Sequence, residues 1–280
     1  MTTQLSAVIP THNRPEELAR AVASVQSQTA PTQIVVVDDG SDPPVDPAAL
    51  PANSVLIRHD TAAGPGIARN RGATAAPTEW IGFLDDDDIW LPTKTREVLR
   101  VASAYPDAGV IFNRTGWSPS TTDGGVNHLD DPLQRVLRRQ PPHISGVAVR
   151  KSVHEDVRFD ETMWATQDID YLIRLAQKTQ WVEIRRYLSS HGDTGPDGSA
   201  IDLESRIAGR LSLLDKHGDL IMRDPVAHSF FLARLGHQYR RAGRYKEARS
   251  SFLGALRIRP VCGVAWRGLV RVSIPPLRDA

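Results

Sequence analysis

The sequence predicts an α/β protein: a doubly wound, mostly parallel mixed sheet flanked by helices, followed by an α-helical C-terminal extension. Three observations carry this. The first half alternates short apolar runs with helical patterns, the rhythm of βαβ units. The run Ile34-Val35-Val36-Val37 is β-branched throughout with no polar alternation, which suits a strand covered on both faces. A second apolar run, Trp80-Ile81-Gly82-Phe83-Leu84, opens directly into Asp85-Asp86-Asp87-Asp88, and ligands of open α/β sheets bind beyond the carboxyl ends of strands.

Taken in order, residues 5–9 read as the first strand. Asn13-Arg14-Pro15-Glu16 reads as a capping box opening a helix with Leu18, Ala21, Val22 and Val25 on one face. Residues 34–37 and 55–58 are the second and third strands, 66–75 a short helix, and 80–84 the fourth strand. Residues 109–112 and 146–149 are further strands, the latter antiparallel or at an edge. Residues 168–178 form a helix burying Ile169, Leu172, Ile173, Leu175 and Ala176, and 181–184 a last strand. The stretch 189–199, rich in Gly, Ser, Pro and Asp, reads as a loop suited to a lid.

From about residue 201 the pattern is helical, which divides the chain into a domain over 1–200 and an extension over 201–280. Within the extension, Leu235-Gly236, Tyr239, Gly243, Tyr245, Glu247-Ala248, Phe252, Ala255-Leu256 and Pro260 resemble a single tetratricopeptide repeat, a helical hairpin.

Bulk properties narrow the function classes. A chain of 280 residues with 40 % hydrophobic content can bury a full core. The lone cysteine, Cys262, excludes an intramolecular disulfide and fits a reducing compartment. No apolar run approaches the roughly 18 residues of a membrane span, and the first residues lack the basic and apolar regions of a signal peptide. The reading is a soluble, cytoplasmic protein. Its net charge of +1 hides a split: residues 222–280 hold 12 Lys/Arg against 3 Asp/Glu, +9, leaving −8 for the rest. That pattern suits an acidic domain handling metal or phosphate with a basic tail. The tail lacks interleaved aromatics at stacking intervals, so nucleic acid is not a predicted partner.

Four adjacent carboxylates raise one another's pKa, so stability alone does not favour gathering them. A hard divalent cation, Mg²⁺ or Mn²⁺, relieves the repulsion and commonly holds substrate phosphates as well. In order along the chain stand Val8-Ile9-Pro10-Thr11-His12-Asn13-Arg14, Val35-Val36-Val37-Asp38-Asp39-Gly40-Ser41-Asp42, Gly64-Pro65-Gly66-Ile67-Ala68-Arg69-Asn70-Arg71-Gly72, and Phe83-Leu84 with the aspartate run. Jointly these motifs resemble glycosyltransferase family 2 enzymes of the GT-A fold over about residues 4–200.

The resemblance implies transfer of a sugar from a metal-bound nucleoside-diphosphate sugar, UDP-linked by expectation, to an acceptor hydroxyl in glycan or polysaccharide synthesis, with inversion. It implies that Pro10, Thr11, His12, Arg14 and Asp39 bind the nucleoside, with Asp38 capping the turn, and that Arg69 reaches the diphosphate. Asp85 and Asp87 stand at the ends of the Asp-X-Asp signature. Asp87 is the first choice for the metal, with Asp85 beside it, and Asp86 lies near the donor ribose. Asp88 is read as capping a helix begun by Ile89-Trp90-Leu91-Pro92.

In the same way Asp168, in Thr166-Gln167-Asp168-Ile169-Asp170, occupies the place of the family's general base. Gln167 stands there where a glutamate is usual, and Asp170 points off another side of the helix. His191, read in the loop, matches a family histidine that approaches the metal. Ser145-Gly146 and Phe159-Asp160-Glu161 match segments beside the acceptor pocket. The resemblance implies a glycan or lipid-linked acceptor, and the basic tail is read as making peripheral contact at the inner face of an anionic membrane. Two rivals are weaker. A nucleotidyltransferase needs a Gly- and Lys-rich phosphate loop, which Pro10–Arg14 is not. A non-catalytic nucleotide-sugar-binding protein working through its helical tail is favoured by loss of the metal or base aspartates, and both are present.

Overall fold

The computed structural model describes residues 4–116, 124–191 and 202–273. The chain divides into two compact units, one of Met1–Pro132 with Pro141–Ser199 and one of Leu133–Gln140 with Ala200–Ala280.

The first unit holds a mixed sheet. Strand β1 (Leu5–Thr11) pairs in parallel with β2 (Thr32–Asp39) and β4 (Trp80–Phe83), and β2 pairs in parallel with β3 (Val55–His59). Beyond β4 the sheet changes direction. Strand β8 (Val147–Arg150) runs antiparallel to both β4 and β6 (Ala108–Gly116), so it is antiparallel and interior rather than at an edge. The long β9 (Gln180–His191) runs parallel to β6 and antiparallel to β5 (Asp88–Trp90) and β7 (Val126–Leu129). Among the described residues the order is β3-β2-β1-β4-β8-β6-β9-β5, with β7 on β9. All seven residues of β1 are buried, as its place between two strands and under helices demands.

Helices α1 (Pro15–Gln26), α2 (Pro65–Ala75), α3 (Lys94–Ala104), α5 (Lys151–Val157) and α6 (Gln167–Lys178) accompany these strands. Helix α1 buries Leu18, Ala21, Val22 and Val25, the face expected. These join Leu5, Ile9, Val36, Leu84 and Trp90 in one core.

Two local expectations fail. The start of α1 carries no side-chain cap. Asn13 instead takes a left-handed φ of 55°, and its Oδ1 accepts from Asp42 N at 2.7 Å, tying the first loop to the second. Nor does Asp88 cap a helix. Residues 88–90 pair with 189–191, and Leu91 N donates to Leu188 O, because the residue before Pro92 is disfavoured in the helical region. The helix begins only after Thr93.

The second unit contains α4 (Pro132–Arg138) from residue 133 on, α7 (Leu203–Arg223), α8 (Pro225–Arg241), α9 (Tyr245–Ile258) and α10 (Gly263–Ser273). Asp202 and Asp224 cap α7 and α8. The core of this unit gathers Ile207, Leu235, Tyr239, Ala248, Phe252, Leu256 and Ala265. Phe252 is fully buried because Gly236 and Gly268 make room for it; a Cβ on either would stand 2.8 or 2.3 Å from its ring. No described helix is long and apolar enough to cross a membrane.

Candidate active site

The carboxyl ends of β1, β2 and β4 supply the first side chains. Thr11, the last residue of β1, donates from Oγ1 to Asp86 Oδ2 at 2.8 Å. Arg14, just before α1, spans two carboxylates, with Nη1 3.2 Å from both Asp86 Oδ1 and Asp87 Oδ2. Pro10 is buried in β1 opposite Val37. His12 Nδ1 donates to the Asp39 carbonyl at 2.7 Å, so the first two strand exits are joined.

Asp38 and Asp39 differ in what holds them. Asp38 accepts from Ser41 N and Val45 N at 2.9 and 3.0 Å and from Arg58, a turn-capping role. Asp39, 6 % exposed, accepts from His59 Nδ1 (2.6 Å), Ala63 N (2.9 Å) and Gly64 N (2.8 Å). It organises the approach to α2, and of roughly four lone-pair sites on a carboxylate about one stays open for a ligand.

On α2, Arg69 Nη2 meets Asp85 Oδ1 at 2.6 Å, and its guanidinium lies 5.5 Å over the Phe159 ring. Its Nε and Nη1 are buried with no hydrogen-bond partner among the described residues. Such orphaned donors are costly unless a ligand completes them. Asn70, next along α2, grips Phe159 O, Phe159 N and Glu161 Oε1 at 2.8–3.0 Å. Gly66 at the start of α2 faces Gln167 and Phe159, so the start of α6 lies beside it.

The aspartate run is held tightly and unequally. Burial pushes Asp86 up to about 6, with Asp87 and Asp85 adding to the rise against Thr11 and Arg14. Asp87 is raised by burial first, then by Asp85 and Asp88. Burial also works against ionisation of Asp85, yet Arg69, with His143 and Arg14, outweighs it and holds that carboxyl below its usual range. Asp88, 3 % exposed, accepts from Ser145 Oγ, and its Oδ1 lies 3.3 Å from His191 Nδ1. That bond, ahead of the cost of burial, raises the His191 pKa.

His191 is the last residue of β9, paired with Asp88, rather than part of a loop; residues 192–199 of the expected lid lie outside the described residues. Sequence patterning there was overridden by strand pairing, which extends β9 through Ser189 and Ser190. His143, which local spacing did not single out, stands with Nδ1 3.2 Å from Asp88 Oδ2 and its ring 4.6 Å from that of His191.

Among the described residues two sets of candidate ligands result: Asp85, Asp87 and Asp88, and Asp88, His143 and His191. Within each set ligand atoms lie within 4.8 Å of one another. Carboxylate oxygens with an imidazole match the chemistry of Mn²⁺, and carboxylates alone that of Mg²⁺. The residues present fit a hard divalent cation.

Asp168 lies in the first turn of α6, half-buried, with no hydrogen bond or ion pair among the described residues. Asp170 is fully buried.

Comparison with known proteins shows the family and the fold. Residues 6–153 match the Glycosyl transferase family 2 profile. An uncharacterized glycosyltransferase of Haemophilus influenzae is 25 % identical over 187 residues, covering 62 % of each chain. The succinoglycan biosynthesis protein ExoO of Rhizobium meliloti is 40 % identical over 101 residues, 35 % of this chain and 29 % of that one. This chain thus spans less than two thirds of these relatives. The crystal structure of S. aureus TarS 1-349 in complex with UDP-GlcNAc superposes with a TM-score of 0.61 at 18 % identity, covering 96 % of this chain and 89 % of that one. That likeness shows the fold. With the family profile matching more than half of its length, the chain belongs to glycosyl transferase family 2.

Proposed function

We propose that the protein transfers a sugar from a nucleoside-diphosphate sugar, UDP-linked, to an acceptor hydroxyl of a glycan or lipid-linked saccharide, with a divalent cation and with inversion. The observation that carries this reading is the convergence of Asp85, Asp87 and Asp88 at the end of β4, beside an arginine with two orphaned buried nitrogens. The UDP-GlcNAc bound by TarS supports the donor class, and the name of ExoO supports a polysaccharide product.

In this reading Pro10, Thr11, His12, Arg14 and Asp39 line the nucleoside, Asp86 lies toward the ribose, and Arg69 turns its free nitrogens to the diphosphate. Asp85 and Asp87, with His191 and Asp88, would hold Mn²⁺ or Mg²⁺, which supplies charge to a departing diphosphate. Asp168 takes the proton of the acceptor hydroxyl as it attacks. Its uncommitted carboxylate at a helix start beside α2 supports that role, whereas Asp170 is occupied by Arg174. Residues 1–200 carry the chemistry. Residues 201–280, including the α8–α9 hairpin that resembles a tetratricopeptide repeat, bring the enzyme to its acceptor, at the inner face of an anionic membrane.

The decisive experiment incubates the protein with Mn²⁺ and a panel of nucleotide-sugars and measures released nucleoside diphosphate. Release from one donor above the chelator control is the expected result. No release from any donor, with no nucleoside-diphosphate binding by calorimetry, overturns the reading.

A further inference from the structure

We infer that Ser145 is a positioning residue that sets the shape of the aspartate turn and, through it, the turn's affinity for a divalent cation; the inference rests on the metal-dependent reading above. Ser145 sits in a single 3-10 turn, Ile144–Gly146, that leads into β8 in the interior of the sheet, and it is fully buried. Its hydroxyl works in both directions. Oγ accepts from the backbone N–H of Asp85 at 3.1 Å and donates to Asp88 Oδ2. Its carbonyl accepts from the indole N–H of Trp90 at 2.9 Å. One residue thus grips the first and last members of the carboxylate run and the strand that follows.

The direction of these bonds matters. A hydroxyl has one proton to give, and here it goes to Asp88, whose like-charged neighbours would otherwise push that carboxylate away. With Oδ2 held by Ser145 and facing His143, Oδ1 is left facing His191. Asp88 belongs to both candidate ligand sets, so its orientation decides whether either set closes. The platform has little freedom to adapt: a Cβ at the adjacent Gly146 would stand 2.8 Å from Asn113 O of β6. Groups that orient metal ligands in this way typically change affinity 10- to 100-fold when removed.

The test uses Mn²⁺ as the probe, alone and with UDP present. Its binding to the free protein is read from the loss of the free-ion electron paramagnetic resonance signal in wild type, Ser145→Ala and Ser145→Cys. Melting in the presence of chelator establishes that each variant is folded. The Ala variant should bind Mn²⁺ about 10- to 100-fold more weakly, with the Cys variant, near in size but a poorer donor, in between. Wild-type affinity in a folded Ala variant overturns the role of Ser145 and leaves the metal reading intact. If the Ala variant does not fold, the Cys variant decides: unchanged affinity overturns the proposal and weaker affinity supports it. Absence of Mn²⁺ binding in the wild type, with UDP present as well as without it, overturns both.

Discussion

Asp170 Oδ2 accepts from both Nε and Nη2 of Arg174, one turn further along α6, at 2.9 and 2.7 Å. Two residues earlier, Asp168 makes no such bond among the described residues. The helix therefore carries one carboxylate committed to structure and one with no such partner among the described residues. Asp168→Asn should fold and bind donor normally yet transfer sugar at least about a hundredfold more slowly, the scale for losing a general base. Asp170→Asn should instead lower stability on the order of 2–3 kcal/mol, below the range for a fully buried pair because Arg174 is 24 % exposed. Turnover and thermal melting of both variants check the assignment. Near-wild-type turnover in Asp168→Asn with loss in Asp170→Asn would reverse it.

The crowding of Asp87 predicts a metal requirement. Its carboxyl is raised by burial and by Asp85 and Asp88, a cost that a cation offsets. UDP binding should require Mn²⁺ or Mg²⁺ and weaken at least about tenfold in Asp87→Ala, the lower scale for losing one ligand's support. Calorimetry with metal and with chelator reads this directly, and equal affinities would remove the cation from the mechanism.

Lys94 gives the first unit a pH signature. It is fully buried in α3, donating from Nζ to Asn113 Oδ1 and lying 4.8 Å over the Trp90 ring. Burial pushes its pKa down from 10.5 to about 7. Between those values the unfolded chain binds the proton and the folded chain does not, so stability rises with pH across this window. The slope is at most about 1.4 kcal/mol per pH unit. Below about pH 7 the lysine is charged in both states and contributes no slope. Lys94→Met should flatten the rise between pH 7 and 9 in urea titrations. An identical rise in both proteins would refute it.

Helix α10 exposes Trp266 and Val270, 52 % and 55 % accessible, beside the exposed Arg267 and Arg271. An aromatic and aliphatic stripe flanked by arginines suits the surface of an anionic bilayer, where each basic residue adds about 1 kcal/mol. The protein should sediment with anionic vesicles at low ionic strength and release as salt rises. Trp266→Ala together with Arg267→Ala should weaken that binding. Equal absence of binding to anionic and neutral vesicles at low salt would end the membrane proposal.

How much of this was legible depended on how local each signal is. The β-branched run 34–37 needs only its own residues to declare a strand covered on both faces, and the face of α1 declares itself by period. Asp88 was misread because Ile89-Trp90-Leu91-Pro92 looks like a helix entrance, while the strand that residues 88–90 pair with, Ser189 to His191, lies far along the chain. His191 was misread for the same reason in reverse. Asn13 has the composition of a cap, but Asp42 N takes its side chain. His143 and Ser145 meet the aspartates only because β8 enters the sheet between β4 and β6, a placement that no short window encodes.

The pairing of Asp88 with His191 bridges 103 residues. During synthesis at about 5–20 residues per second, roughly 5 to 20 seconds separate the two on the growing chain. Through that interval the parallel strands β1 to β4 can already order, while the aspartate turn lacks the strand that aligns it. The nascent chain thus acquires its scaffold first, and its aspartate turn takes its final shape only when residues 189–191 arrive to pair with 88–90.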